Sequence, residues 1–266
     1  MQKKVKLILT DIDGTILPYG QKQVSERCIA AFHAAMDAGV HVGPASGRGQ
    51  RQIAPLLRGD ETCCATALAS NGMEVYLDGQ RIRAEVHTSE TLGKLAKILR
   101  DIPGTGLVAF QGATPYLVEG SMEVLARCFP SYAKKAQVAD EIPDWEVVKA
   151  NVFMEGDVVR MQDFADRLHQ AMPQLDFDVP QPSWLNMMTH GWNKGSAVDA
   201  LCDALGIGLD QVAVFGDGGN DVPMLSHVPL SFAVAGAADA AKAAAHYQIG
   251  PCEEDAVAKK IEELLG

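Results

Sequence analysis

The sequence predicts an α/β protein: a doubly wound parallel-sheet core interrupted by an inserted α+β domain. Three observations predict it. Short aliphatic runs alternate with helix-period segments at both ends of the chain, the pattern of a parallel sheet covered on both faces. Polar, chemistry-bearing residues follow directly after those runs. Between about residues 83 and 187 the alternation loses its regularity, and Pro103, Pro115, Pro130, Pro143, Pro173, Pro180 and Pro182 break it. The domain ranges read from this are 1–82 with 188–266 for the core and 83–187 for the insert.

The elements follow in order. Val5 to Leu9 is a short apolar run ending in Thr10-Asp11, read as a buried parallel strand. Ser25 caps a helix whose apolar face is Cys28, Ile29, Phe32, Ala35 and Met36, with Gly39 just past its end. Val40 to Pro44 is a second strand, and a helix through Ile53, Leu56 and Leu57 follows. Ala65 to Ala69 is a third strand, ending at Ser70-Asn71-Gly72. Within the insert the expected helices are Glu90 to Leu99, Glu123 to Cys128 and Gln162 to Met172. The expected strands there are Leu107 to Phe110, Tyr116 to Val118, Val147 to Phe153 and Trp184 to Met188. The core then resumes with a helix from Lys194 to Leu205 closed by Gly206, strands at Val212 to Phe215 and Leu230 to Val234, and a last helix from about Glu254 to Leu265.

Composition narrows the partners. With 266 residues, 47% hydrophobic and 21% charged, the chain can bury a sizeable core. A formal net charge of -11 argues against nucleic acid or an anionic membrane as partner. The six cysteines show neither a C-x-x-C pair nor zinc spacing, and most lie in apolar stretches, as expected of core residues in a reducing compartment. The start, MQKKVKLILTDIDG, is basic and then briefly apolar, but two aspartates end the run and no cleavage site follows, so a secretory leader is not expected. No apolar run reaches membrane-spanning length. A cytoplasmic protein, monomer or homodimer, is expected.

The residues that carry chemistry share one kind of place. Asp11, Ser46, Asn71 and Asp217 each follow a short buried strand, and open parallel sheets bind ligands outside the carboxyl ends of their strands. In Asp11-Ile12-Asp13-Gly14-Thr15, residues two apart on an extended segment point the same way and offer a nucleophile and a general acid–base. A simple Asp-Gly turn is the competing reading. Gly216-Asp217-Gly218-Gly219-Asn220-Asp221 combines two carboxylates, an amide and three glycines at a strand-to-helix junction, which suits a hard cation such as Mg²⁺. An Asx-rich turn explains it too. Ser46-Gly47-Arg48 and Asn193-Lys194-Gly195 are weak alone, although a lysine at a helix start opposes the macrodipole unless it faces an anion.

Taken together these residues resemble the haloacid dehalogenase superfamily. DIDGT at 11–15, Ser46, Lys194 and GDGGND at 216–221 match its four motifs in order, while SNG at 70–72 and NKG at 193–195 are similar to the Cof-type subfamily with a class II type B cap. The resemblance implies a Rossmann-like core over 1–82 and 188–266 and a cap over 83–187. It implies that Asp11 attacks phosphorus and that Asp13 protonates the leaving alcohol and then activates water. Mg²⁺ would be held by Asp11, Asp13 through its carbonyl and Asp217, supported by Asp221. Ser46 and Lys194 would hold phosphate oxygens, with Arg48, Asn71 and Asn220 near the substrate. Pro44-Ala45 before the serine and Gly218-Gly219 depart from the commonest pattern without removing a catalytic group. The expected function is Mg²⁺-dependent hydrolysis of a small phosphorylated metabolite, a sugar phosphate foremost. Phosphoryl transfer to a second sugar and a non-enzymatic binding module on the same fold are the alternatives.

Overall fold

The computed structural model describes residues 4–266; Met1–Lys3, the head of the segment weighed above as a leader, lie outside the described residues. The chain divides into two compact units, one built from the residues up to Ala84 together with Asn193–Gly266, the other from Glu85–Trp192. Both junctions fall later than the sequence ranges place them. The last strand of the first segment runs to Ala84, and the strand at Trp184 runs to Thr189, so a cut after residue 187 would split a paired strand.

In the first unit β1 (Leu7–Thr10) is buried along its whole length. The helix α1 (Glu26–Asp37) begins where the Ser25 side chain accepts a hydrogen bond from the Cys28 amide, satisfying one of the free donors at a helix start. Its inward residues are Cys28, Ala31, Phe32 and Ala35, while Ile29 and Met36 are only partly covered. Next is β2 (His41–Pro44). No α-helix forms through Ile53, Leu56 and Leu57; the segment is a 3₁₀ turn at Gln50–Gln52 followed by further turns. Pro55 lacks the amide that a helix interior needs there, yet Ile53 and Leu57 remain fully buried. The strands β3 (Ala67–Ala69), β4 (Glu74–Leu77) and β5 (Gln80–Ala84) form an antiparallel meander. The last two, absent from the sequence reading, are joined by Asp78-Gly79, both at positive φ, the tight hairpin turn that an Asp-Gly pair favours.

The second unit contains α2 (Ser89–Arg100), β6 (Thr105–Gln111), β7 (Thr114–Glu119), α3 (Met122–Cys128), α4 (Pro130–Ala133) and β8 (Gln137–Val138). It continues with β9 (Ala150–Met154), α5 (Val158–Ala171), β10 (Leu175–Gln181) and β11 (Trp184–Thr189). Its sheet runs β10-β11-β9-β6-β7-β8, antiparallel except for the β7–β8 pair. One apolar cluster joins Leu92, Leu95 and Leu99 of α2 and Phe164 and Leu168 of α5 to Leu107, Val152 and Leu185. A second joins Leu125 and Cys128 to Phe110, Phe153 and Trp184. The sequence reading names no strand at β10, whose Leu-Asp-Phe-Asp-Val alternates and whose Pro180 sits near its end.

His87 lies in this unit, buried, with Nε2–H donating to the Met187 carbonyl (3.3 Å). Burial pushes its pKa down to about 4. The folded value is below the unfolded value of about 6.5, so the neutral ring contributes stability above that pH, and the contribution is lost as pH falls toward 4. The expected loss on the way from pH 7 to pH 4.5 is about 2–3 kcal/mol. The urea-midpoint difference between wild type and His87→Gln should therefore shrink over that interval; a constant difference would mean that the ring takes up its proton as readily in the fold as in the unfolded chain.

The chain re-enters the first unit through α6 (Lys194–Leu205), whose first amides, of Gly195 and Ser196, donate to the Asn193 side chain and whose end is the left-handed Gly206 (φ 65°). Then come β12 (Val212–Gly216), α7 (Val222–His227), β13 (Leu230–Ala233), α8 (Asp239–Ala244), β14 (Tyr247–Gln248) and α9 (Ala256–Leu265). The main sheet is parallel throughout in the order β14-β13-β12-β1-β2, and a single parallel bridge, Ala45 to Leu68, continues it toward β3. This is the α/β core expected. Its register matters most: Thr10 stands opposite both Phe215 and Pro44, so Asp11, Ser46 and Asp217 leave the sheet at nearly the same level.

Candidate active site

Four segments meet beyond the carboxyl ends of β1, β2, β3 and β12. The turn after β1 is closed by the Gly14 and Leu17 amides, which donate to the Leu17 and Ile12 carbonyls at 2.9 and 2.8 Å. Gly14 has φ +86°, and a Cβ there would lie 2.5 Å from Asp217 Oδ2, so only glycine fits. Asn71 (φ 60°, ψ 31°) is left-handed, and its amide donates to the Ser46 carbonyl (2.9 Å).

The centre is a buried ion cluster. Lys194 Nζ donates to Asp11 Oδ1 (2.7 Å) and to Asp221 Oδ1 (2.6 Å), and the Lys194 and Asp221 side chains are wholly buried. Asp221 Oδ2 accepts the amides of Asp217 (2.9 Å) and Gly218 (2.8 Å). Both oxygens of Asp221, expected among the metal residues, are thus engaged in holding Lys194 and shaping the loop. Asp217 Oδ1 accepts from Thr15 Oγ1 (2.6 Å), and its Oδ2 lies 3.4 Å from the Tyr19 hydroxyl.

Asp13 takes a different partner from Asp11. Arg48 Nε and an η-nitrogen donate to its two oxygens at 2.8 and 2.7 Å, a bidentate pair. Arg48, expected beside substrate, and Asp13, expected beside Asp11, are thereby brought together. The Arg48 amide also donates to Ser46 Oγ (3.2 Å). Asn220 Nδ2 donates to Asn71 Oδ1 (3.0 Å). All nine residues singled out in the sequence therefore lie in this one unit: Asp11, Lys194, Asp217 and Asp221 in the central cluster, Asp13 and Ser46 with Arg48, and Asn71 with Asn220. Thr15 and Tyr19 were missed. Thr15 stood inside the quoted run without a role. Tyr19, 79% exposed in its loop, had no sequence signal at all.

Electrostatics explain what the cluster lacks. Asp11, Asp217 and Asp221 offer carboxylate oxygens within 4.8 Å of one another, with Lys194 as the cation among them. Burial raises Asp11 well above the usual carboxylate range, Lys194 pulls against that, and Asp221 and Asp217 add to it. Burial likewise raises Asp217 to about 6, the Thr15 hydrogen bond opposing and Asp221 adding. For Lys194 burial works against the charge, but Asp11 and Asp221 outweigh it and keep the amine protonated. One ammonium cannot balance three carboxylates. An all-oxygen donor set with excess negative charge fits a hard divalent cation such as Mg²⁺.

The family model for haloacid dehalogenase-like hydrolases matches residues 8–261. The chain is 24% identical over 265 residues to the 5-amino-6-(5-phospho-D-ribitylamino)uracil phosphatase YbjI of Escherichia coli, covering 98% of this chain and 96% of that protein. It is 29% identical over 241 residues to the phosphoglycolate phosphatase of Pyrobaculum aerophilum, covering 90% and 87%. Among solved structures, the phosphatase BT1666 from Bacteroides thetaiotaomicron superposes with a TM-score of 0.85 at 19% identity, over 98% of this chain and 95% of that one. The subclass IIB sugar phosphatase BT4131 superposes with 0.81 at 22% identity, over 97% and 98%. Fold, motif order and the matched span agree: the chain belongs to the haloacid dehalogenase-like hydrolases.

Proposed function

We propose that this hydrolase is a magnesium-dependent phosphatase acting on a small phosphorylated metabolite, foremost a sugar phosphate, through an aspartyl phosphate on Asp11. The observation that carries the reading is the buried Asp11–Lys194–Asp221 arrangement at the carboxyl end of a parallel sheet. Lys194 engages Asp11 Oδ1 and leaves Oδ2 as the attacking oxygen. Oδ2 forms a bond to phosphorus while the bond from phosphorus to the alcohol oxygen breaks, and Asp13 gives that oxygen a proton. Asp13 then takes a proton from water, whose oxygen attacks phosphorus and returns Asp11 to its carboxylate. Asp11, Asp217 and the Asp13 carbonyl would hold Mg²⁺, which supplies positive charge to an anion attacking an anion. Lys194 supplies the rest, and Ser46 donates to a phosphate oxygen. Arg48 exchanges Asp13 for the phosphate when substrate binds, which frees Asp13 for proton transfer. Asn71 and Asn220, hydrogen-bonded to each other, are assigned to the substrate side of the site. Residues 85–192 are assigned as the inserted cap.

Support comes from near full-length relatives named as phosphatases of a ribityl phosphate and of phosphoglycolate, and from the sugar phosphatase neighbour. No helix of the described residues is long and apolar enough to cross a membrane, and all six cysteines are free and buried, which suits a cytoplasmic enzyme. The test is phosphate release from a panel of phosphorylated metabolites with and without Mg²⁺. Release that needs Mg²⁺ is expected; none from any compound, by folded protein with Mg²⁺ present, would overturn the reading.

Thr15 sharpens it. Its hydroxyl donates to Asp217, and groups that orient a metal ligand are worth about 10–100-fold in metal affinity. Thr15→Val should weaken Mg²⁺ by on the order of that factor, read as the Mg²⁺ concentration giving half-maximal activity. An unchanged value would remove Asp217 from the metal site.

A further inference from the structure

Outside the catalytic cluster, Glu85–Trp192 carries a second convergence of ligating side chains. His169 stands in the last turn of α5, Asp176 near the start of β10 and His190 just after β11, and one atom from each lies within 4.8 Å of the others. His190 Nδ1 is 2.9 Å and His169 Nδ1 3.5 Å from the same oxygen, Asp176 Oδ1. The other oxygen, Oδ2, is fixed by the Gly191 amide at 2.8 Å. That amide is presented by a left-handed Gly191 (φ 74°), so the turn after β11 sets the carboxylate with Oδ1 toward both imidazoles. The backbone beneath is held too: Leu175 pairs with Thr189, Asp176 with Met188, and the His190 amide donates to the Gln174 carbonyl (2.9 Å).

This geometry differs from the other histidine–aspartate contacts. His41–Asp78 and His227–Asp199 are one-to-one pairs that a single proton satisfies. At Asp176 two imidazoles face one oxygen, and the Leu175 carbonyl adds a further oxygen 2.6 Å from His169 Nδ1. Two nitrogens with carboxylate and carbonyl oxygens form a donor set for a borderline transition ion, not for Mg²⁺.

We propose that His169, Asp176 and His190 form a surface site for a divalent transition metal of the Zn²⁺ class, which ties the end of α5 to the β10–β11 hairpin. The ligating nitrogens are the two Nδ1 atoms. Each ring then carries its proton on Nε2 instead of donating it to Leu175 or Asp176, so no net proton or electron is transferred. The site is independent of the phosphatase reading. The nearest rival trio, His33, Asp60 and Cys63, is less suited: Thr62 already donates twice to Asp60 (2.5 and 3.0 Å), and burial pushes the Cys63 thiol up to about 12, away from the thiolate that a metal needs.

The test is a Co²⁺ titration of the chelator-treated full chain with Mg²⁺ in excess, followed by visible absorption and then by displacement with Zn²⁺. One Co²⁺ per chain is expected, with ligand-field bands and no sulfur-to-metal charge transfer. His169→Gln, His190→Gln and Asp176→Asn should each lose it, while Asp11→Asn keeps it. The side-chain oxygen retained in Asp176→Asn can still accept from the Gly191 amide, which guards against a folding failure. Zn²⁺ should raise the melting temperature of the wild type and not of these variants. Absence of Co²⁺ binding, binding that survives all three substitutions, or a charge-transfer band removed by Cys63→Ser would each overturn the proposal.

Discussion

Asp11→Asn should abolish phosphate release while leaving the protein folded. The amide oxygen of asparagine can still accept from Lys194, so the buried hydrogen bond survives, but the side chain no longer has an anionic oxygen to attack phosphorus. Removal of a nucleophile that works with a general acid–base costs on the order of 10⁴-fold or more in kcat. Stability should move the other way. Asp11 is held well above the usual carboxylate range by burial, so its ionised form is costly near neutral pH, and a neutral asparagine relieves that cost when Mg²⁺ is absent. The measurements are kcat with the best panel substrate, label from substrate phosphate retained on the protein after quenching, and the urea midpoint in chelator. Activity within tenfold of wild type, or label still carried by the variant, would refute a phospho-enzyme on Asp11.

Much of this site was legible because its residues obey a rule of place. In a parallel sheet covered on both faces the strands read as short aliphatic runs, and the polar residue that ends each run must lie at the same sheet edge. Asp11, Ser46, Asn71 and Asp217 could be gathered from four distant segments on that argument alone. Lys194 became persuasive by the same physics, since an ammonium at a helix start needs an anion before it, and the structure supplies Asp11 and Asp221. What the sequence hid was pairing. The period of an extended strand suggested that Asp11 and Asp13 share a target, but the chain turns at Ile12–Leu17 and gives them separate cations. Nothing in one dimension ties Tyr19 to Asp217, since their contact depends on a loop conformation. The missed helix near Ile53 has a similar cause: its apolar residues are buried as expected, but through turns, because burial and helicity are separate requirements and Pro55 satisfies only the first.

Lys194→Met should be the most destabilising single substitution in the catalytic unit. Methionine fills a similar volume but leaves Asp11 and Asp221 buried without their shared cation. Breaking a buried pair by removing one partner costs about 3–5 kcal/mol, because the surviving charges have no water to turn to. The pH dependence separates this cause from simple packing loss. In the variant Asp11 loses the ammonium that pulls its pKa down against burial, so its folded value rises further above the unfolded one. A carboxylate in that position favours the fold when protonated, and the benefit is lost as pH climbs through the raised folded value. The deficit of Lys194→Met relative to wild type should therefore be small at pH 5 and full at pH 7.5, read as urea midpoints in chelator. Mg²⁺ should recover part of it at pH 7.5 by restoring positive charge beside Asp11. Activity should fall by on the order of 10²–10³-fold even where the protein is folded, the usual loss when a group stabilising developing charge is removed. A deficit independent of pH would assign the cost to packing. A variant as stable as wild type at pH 7.5 would mean that Asp11 and Asp221 do not need Lys194, and with it the charge-balance argument for the metal would fall.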